Sequence, residues 1–420
     1  MGKVISGYTE IESAKFTFFL NDFLLTLVLY KGELPRDMFF KQYNLKNLKG
    51  ETTDHREICF FGLSFYSGFM SSSLETYISG YVIGRNNNSD VEISSFSALS
   101  LYGSIVDKYY NPIIKYDHKS SSNDYEKGTS IRILKSYDEV DYHIKLAPHL
   151  DMTLGIVSPS EPTPYNSKLG DLHSYLSITT DLEWDLDRLI ALYRNIYQFF
   201  ALFNFRKNIS FDEIVLSKRM DDGRLDPIGN FIVATKNPCT SVHQLYTIYH
   251  SDINEHIVDL YFFLKQFGSY LSFIPETDND ARILDYSKYI QTCAVFESLF
   301  KKYHKNLAGS TPKTTLKSKF KFALNEYRNI IVDVFSNIEL KDSDIEDIAK
   351  AFVDQRNDLA HGDFERRVFL SVTPYTYAVC LIYIMILRLI KIEDQTIKRV
   401  IKKMFWNFGH KDIAQSENEV

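Results

Sequence analysis

RNDLAHG, residues 356–362, closes a segment whose spacing decides how the C-terminal third of this chain folds. The run leading into it, Ser343 to Ala360, sets Ile345, Ile348, Ala349, Phe352, Val353 and Leu359 at helical spacing on one face. At 100° per residue, Arg356 projects near the middle of that apolar stripe. A buried charge costs several kcal/mol unless it is paired, so a carboxylate or a bound phosphate must compensate it. Asp354 and Asp358 are the carboxylates nearest in sequence. Paired with one of them, the arginine is a core residue and His361 a helix cap. Unpaired, Arg356, Asn357 and His361 form a candidate phosphate site. Gly362 supplies a helix stop and leaves His361 at an exposed helix end.

Outward from this stretch, residues 281–411 read as helices throughout. Arg282 to Lys305 and Lys313 to Ser336 precede the motif helix, with GSTP between them and Pro312 suited to a helix start. Acidic residues open the motif helix, as the helix dipole favours. Thr373 to Ile392 and Thr396 to Phe408 follow. Four to five helices joined by short loops predict a bundle.

The heptapeptide resembles the Rx4–6H signature of HEPN domains, in which a polar residue often follows the arginine. The longer context is similar to the C-terminal HEPN domain of ApeA-like anti-phage proteins. It includes an upstream helix with FESLF (Phe296 to Phe300), a Lys-rich helix, and then VDQRNDLAHG. HEPN toxins paired with nucleotidyltransferases tend to carry a tyrosine two residues after the histidine. Asp363 stands there and Phe364 follows, which argues against that subfamily. The resemblance implies a homodimer with two motifs facing one cleft, an RNA substrate and a phage-derived trigger.

Residues 1–157 predict a β-rich, sandwich-like or barrel-like antiparallel domain with a sensing or regulatory role. Phe16 to Tyr30 and Glu57 to Phe65 are rich in aromatic and β-branched residues, and KGELP, LKGETTD, GRNNNSD and KSSSND supply turns. A short helix is expected near Ser95 to Tyr109. SPSEPTPYNS, residues 158–167, reads as a linker. Residues 158–280 are then expected to be mixed and mainly helical, with helices over Leu182 to Phe205 and Ser241 to Phe273 and a hairpin of FDEIVLSKRM and GNFIVAT between them. The aromatic stripe of Ser241 to Phe273 suits core packing better than base stacking. The whole is an α+β chain of three parts, with a polar tail at 412–420.

Bulk properties limit the functions further. The net charge is −6, yet residues 281–411 hold 22 Lys and Arg against 15 Asp and Glu, while the remainder holds 26 against 39. A basic C-terminal module on an acidic body fits either a nucleic-acid partner or ordinary solvated helix faces. Cys59, Cys239, Cys293 and Cys380 show no zinc-ligand or disulfide spacing, which points to a reducing, cytoplasmic setting. His143, His149 and Asp151 fit no metal motif and read as loop residues. No metal or cofactor is expected. Asn21 and Asp22 interrupt the early apolar run, so no signal peptide is expected. Tyr377 to Leu387 is too short for a bilayer and reads as a buried core helix.

The chemistry of the trio fits RNA cleavage without a metal. Histidine moves protons near neutral pH. Arginine is a permanent, forked cation for phosphate oxygens. Asn357 can hydrogen-bond a phosphate or orient the histidine. A metal-independent ribonuclease, a non-catalytic RNA- or nucleotide-binding module and a purely structural helical protein are the competing readings.

Overall fold

Alternation of buried and exposed side chains makes strands of the chain's beginning. In β1 (Ile5–Ile11), Thr9 and Ile11 turn inward while Tyr8 and Glu10 face solvent. In β2 (Ala14–Asn21), Ala14, Phe16, Phe18 and Leu20 turn inward. Asp22, at φ 51°, turns the chain into β3 (Leu24–Lys31), so the strand-forming stretch from Phe16 to Tyr30 is a hairpin. The computed structural model describes residues 4–33, 43–65, 73–85, 93, 95–110, 114–120, 131–137, 141–157, 173–238, 248–277, 285–304, 315–334, 340–361 and 372–405. The linker at 158–167, GSTP, Gly362, Asp363, Phe364, Cys239 and the tail lie outside them.

The remaining strands are β4 (Tyr43–Thr52), β5 (Glu57–Phe65), β6 (Ser73–Tyr77), β7 (Gly80–Gly84), β8 (Phe96–Tyr102), β9 (Ile114–Ser120), β10 (Ile131–Tyr137), β11 (Asp141–Ala147), β12 (Leu150–Val157), β13 (His173–Trp184), β14 (Glu213–Arg219) and β15 (Leu225–Val233). Among the described residues, β9 and β10 pair with each other. The other thirteen form one antiparallel sheet in the order β11-β12-β13-β8-β14-β15-β7-β5-β4-β1-β2-β3-β6. The far end curls until β6 reaches β5. There Thr76 Oγ1 donates to the Ser64 carbonyl at 2.8 Å, and the Ser79 amide donates to the Phe61 carbonyl at 3.1 Å. Gly62, at φ +68°, allows this approach, because a Cβ on it would strike the Ser79 side chain. Phe16, Phe18, Leu25, Leu27, Ile58 and Phe60 fill the curl with no solvent exposure.

The sheet does not end before the linker. β13, β14 and β15 all lie within 158–280, the region expected to be mainly helical, and they complete the same sheet. The chain accordingly divides differently from 1–157, 158–280 and 281–411. One unit comprises Met1–Asp107, Pro112–Tyr193 and Ser210–Thr240; the other comprises Lys108–Asn111, Arg194–Ile209 and Ser241–Val420. α1 (Ser104–Tyr109) and α2 (Leu186–Asn204) contribute to both. The β13–α2 boundary lies at Asp185, whose carboxylate accepts the Arg188 amide at 2.9 Å and caps the helix.

The described residues of the second unit are helical. α3 (His250–Ile253) and α4 (Ile257–Phe267) alternate with 3-10 turns, and Leu260, Phe263, Leu264 and Phe273 pack inward. Next come α5 (Tyr286–Tyr303), α6 (Leu316–Glu326), α7 (Arg328–Val334), α8 (Asp342–His361), α9 (Val372–Leu389) and α10 (Asp394–Phe405). Asp285 and Thr315 cap α5 and α6 by accepting the amides of Lys288 and Ser318. The helix expected from Lys313 to Ser336 breaks at Tyr327. That ring is wholly buried, its hydroxyl 3.4 Å from His304 Nε2 and its face under the Arg388 guanidinium. α9 is apolar on every side, with Ala378 to Leu387 no more than 1% exposed. No helix among the described residues is long and apolar enough to cross a membrane. Cys59, Cys293 and Cys380 are free and buried.

Candidate active site

α8 begins on Asp342 and Asp344, and the Asp344 carboxylate accepts the Lys341 amide at 2.9 Å. Glu346, one turn on, holds Lys317 and Lys321 of α6 at 2.5 and 2.8 Å. Hydrogen bonds from these lysines keep its carboxyl well below the usual range. On the opposite face Ile345, Ala349 and Phe352 are fully buried. Phe352 stacks on Phe320 with centroids 4.0 Å apart and meets Phe296 edge-on at 6.0 Å. The buried Tyr289 hydroxyl of α5 donates to the Phe352 carbonyl at 3.1 Å. The first three turns of α8 are thereby fixed against α5 and α6.

Positions 345, 349, 352 and 356 continue one line of 4-3-4 spacing, which brings Arg356 onto the buried face. It is half-buried there rather than enclosed. Its guanidinium charge bears on the buried Cys293 thiol of α5. Burial pushes that thiol up to about 12 despite the nearby cation, so Cys293 stays protonated and offers neither a counter-ion nor a nucleophile. Arg356 Nη1 donates to Asn357 Oδ1 at 3.2 Å. Among the described residues no carboxylate pairs with Arg356, neither Asp354 nor Asp358. The ion-paired alternative is therefore not what the described residues form.

His361 is the last residue of α8 and is exposed. A helix puts it about 7.5 Å along the axis from Arg356 and about 140° around it. Asn357 and His361, four apart, share a face instead. One copy therefore carries an inward cation on one face and, on another, an outward imidazole with an amide one turn behind it. Asn357 connects them by orienting Arg356 from the face that carries His361.

Sequence reasoning missed Gln355. Its Oε1 is buried and makes no hydrogen bond among the described residues, one position before the arginine. Nothing in the heptapeptide marks it, because its isolation arises from the packing around α8. His143 and His149 bind separate partners, Thr153 Oγ1 at 3.0 Å and Asp181 Oδ2 at 2.7 Å. Among the described residues no three His, Cys, Asp or Glu side chains gather as a metal would need.

No protein-family model, curated protein or solved structure matches this chain.

Proposed function

We propose that the chain is a HEPN-type endoribonuclease that cleaves RNA by acid–base catalysis, acting in the cytoplasm as the effector of an abortive, anti-phage response. The observation that carries this reading is Arg356, a half-buried cation on the packed face of α8 with no carboxylate partner among the described residues. An arginine so placed is costly unless an anion completes it, and a phosphodiester supplies that anion in the forked geometry a guanidinium prefers.

The divergence of Arg356 and His361 on one helix supports a dimer, in which each copy's α8 end meets the other across an RNA strand. One His361 removes the 2′-hydroxyl proton, and the 2′-oxygen attacks phosphorus. The second His361 protonates the departing 5′-oxygen. The two Arg356 side chains stabilise the charge on the non-bridging oxygens, and Asn357 holds Arg356 in register. The products are a 2′,3′-cyclic phosphate and a 5′-hydroxyl. The first unit would restrain this activity until a phage-derived trigger releases it.

The deciding experiment is cleavage of a labelled RNA by wild type and His361→Ala, with and without EDTA. The reading requires EDTA-resistant cleavage with cyclic phosphate ends, lost in the variant. Cleavage that survives His361→Ala, or that needs Mg²⁺, refutes it.

A further inference from the structure

The outer face of the first unit carries a cleft of about 1030 Å³, floored by neighbouring strands from β3 to β5 and walled by β7 and the β14–β15 hairpin. We propose that this cleft binds a lysine- or arginine-bearing segment of a protein partner, seated between the Tyr8–Tyr30 pair and the carboxylates of Glu51 and Glu57. This inference stands apart from the nuclease reading.

Three observations converge on it. Tyr8 and Tyr30 are each 54% exposed, and their rings meet edge-on at 6.1 Å. Two large rings held in water on a sheet present π faces that attract cations. Tyr8 lies directly across from Glu51, and Glu51 directly across from Glu57. Like charges in directly opposed positions destabilise a sheet. His55 Nδ1, 2.6 Å from Glu51, and Lys49, 4.0 Å from Glu57, offset part of this. Among the described residues that line the cleft, Glu10 and Asp226 bring the carboxylates to four, against Lys15 and Lys49. The third observation is Gly84, where a Cβ would find nothing nearer than the Glu57 carbonyl at 3.6 Å. The cleft is thus open beside the acidic pair, at a position where a Cβ meets only ordinary van der Waals contacts. This charge repels nucleic acid and complements a basic polypeptide.

The test is fluorescence anisotropy of the full chain with a labelled peptide of alternating arginine and serine, against the same peptide with citrulline for arginine. Saturable binding of the arginine peptide alone is expected. Tyr8→Ala, the double variant Glu51→Gln/Glu57→Gln and Gly84→Leu should each weaken it at least tenfold, with thermal midpoints confirming that each variant is folded. The double variant Asp22→Asn/Glu75→Gln, which removes the same charge elsewhere on the unit, should bind like wild type. Equal loss in that control, no saturable binding by wild type, or binding of labelled poly(U) abolished by the same cleft variants would each overturn the proposal. RNA cleavage by His361 is read separately, so either proposal can fail alone.

Discussion

If the proposed ribonuclease reading holds, Arg356 and His361 separate stability from activity. His361 is exposed at a helix end, so His361→Ala should change the unfolding free energy by less than about 0.5 kcal/mol. It should lower RNA cleavage by roughly 10²–10⁴-fold, the usual worth of a general acid or base. Arg356 occupies a packed face with no counter-ion among the described residues. Arg356→Met should abolish cleavage while raising the urea midpoint by the equivalent of about 1 kcal/mol, since apolar replacements of buried charges are often stabilising. A urea titration beside the cleavage assay checks both, and an unfolded Arg356→Met protein would show that the arginine holds the fold. At this scale the sequence was informative about where Arg356 and His361 lie, because helical phase alone sets Arg356 inward and the helix stop leaves His361 exposed. It said nothing of Gln355 and did not set Cys293 beside Arg356, because both placements depend on what a second helix brings against α8.

At the scale of elements, α8 is held by Phe352. Phe352→Ala removes a ring packed between Phe296 and Phe320 and should cost about 3–5 kcal/mol, read by chemical denaturation. Tyr289→Phe keeps the ring and loses the hydroxyl that donates to the Phe352 carbonyl, at a cost of about 1 kcal/mol. Elements with their own period or cap were legible: α8 by its apolar line, the β14–β15 hairpin by its DDG turn, α9 by its continuous apolar run. The break at Tyr327 was not, because it answers to His304 and Arg388, distant in sequence. β13 was missed for a similar reason. Buried Ser174, Ser177 and Thr180 blur its alternation, and burial comes from β8 and β12 on either side.

The whole molecule should be acid-sensitive before its carboxylates titrate. Burial against Tyr109 and Tyr110 lowers His250 from 6.5 to about 4. His304 is lowered too, by burial and then by Arg388. Between pH 6.5 and 4 the unfolded chain therefore binds protons that the folded chain does not. Stability is full above 6.5 and falls as the pH drops through this window, by about 3 kcal/mol for His250 alone. Urea midpoints from pH 7 to 4 should show this decline, and His250→Phe should flatten it. An unchanged slope in that variant would mean that other groups dominate. The α8 geometry further predicts a dimer at micromolar concentration by sedimentation velocity.

The order of strands in the large sheet sets a timetable for the nascent chain. β7 and β8 emerge early, yet β7 must wait for β15, and β8 for β13 and β14. Arg85 meets Asn230 across 145 residues of chain. At ordinary translation speeds that wait is on the order of ten seconds. Throughout it, two apolar strands stand with open edges, the arrangement most prone to pairing with another copy. A fragment ending at residue 157 makes that interval permanent and should accumulate as aggregates, whatever its own hydrophobic content. During synthesis the same interval leaves chaperones a place to act.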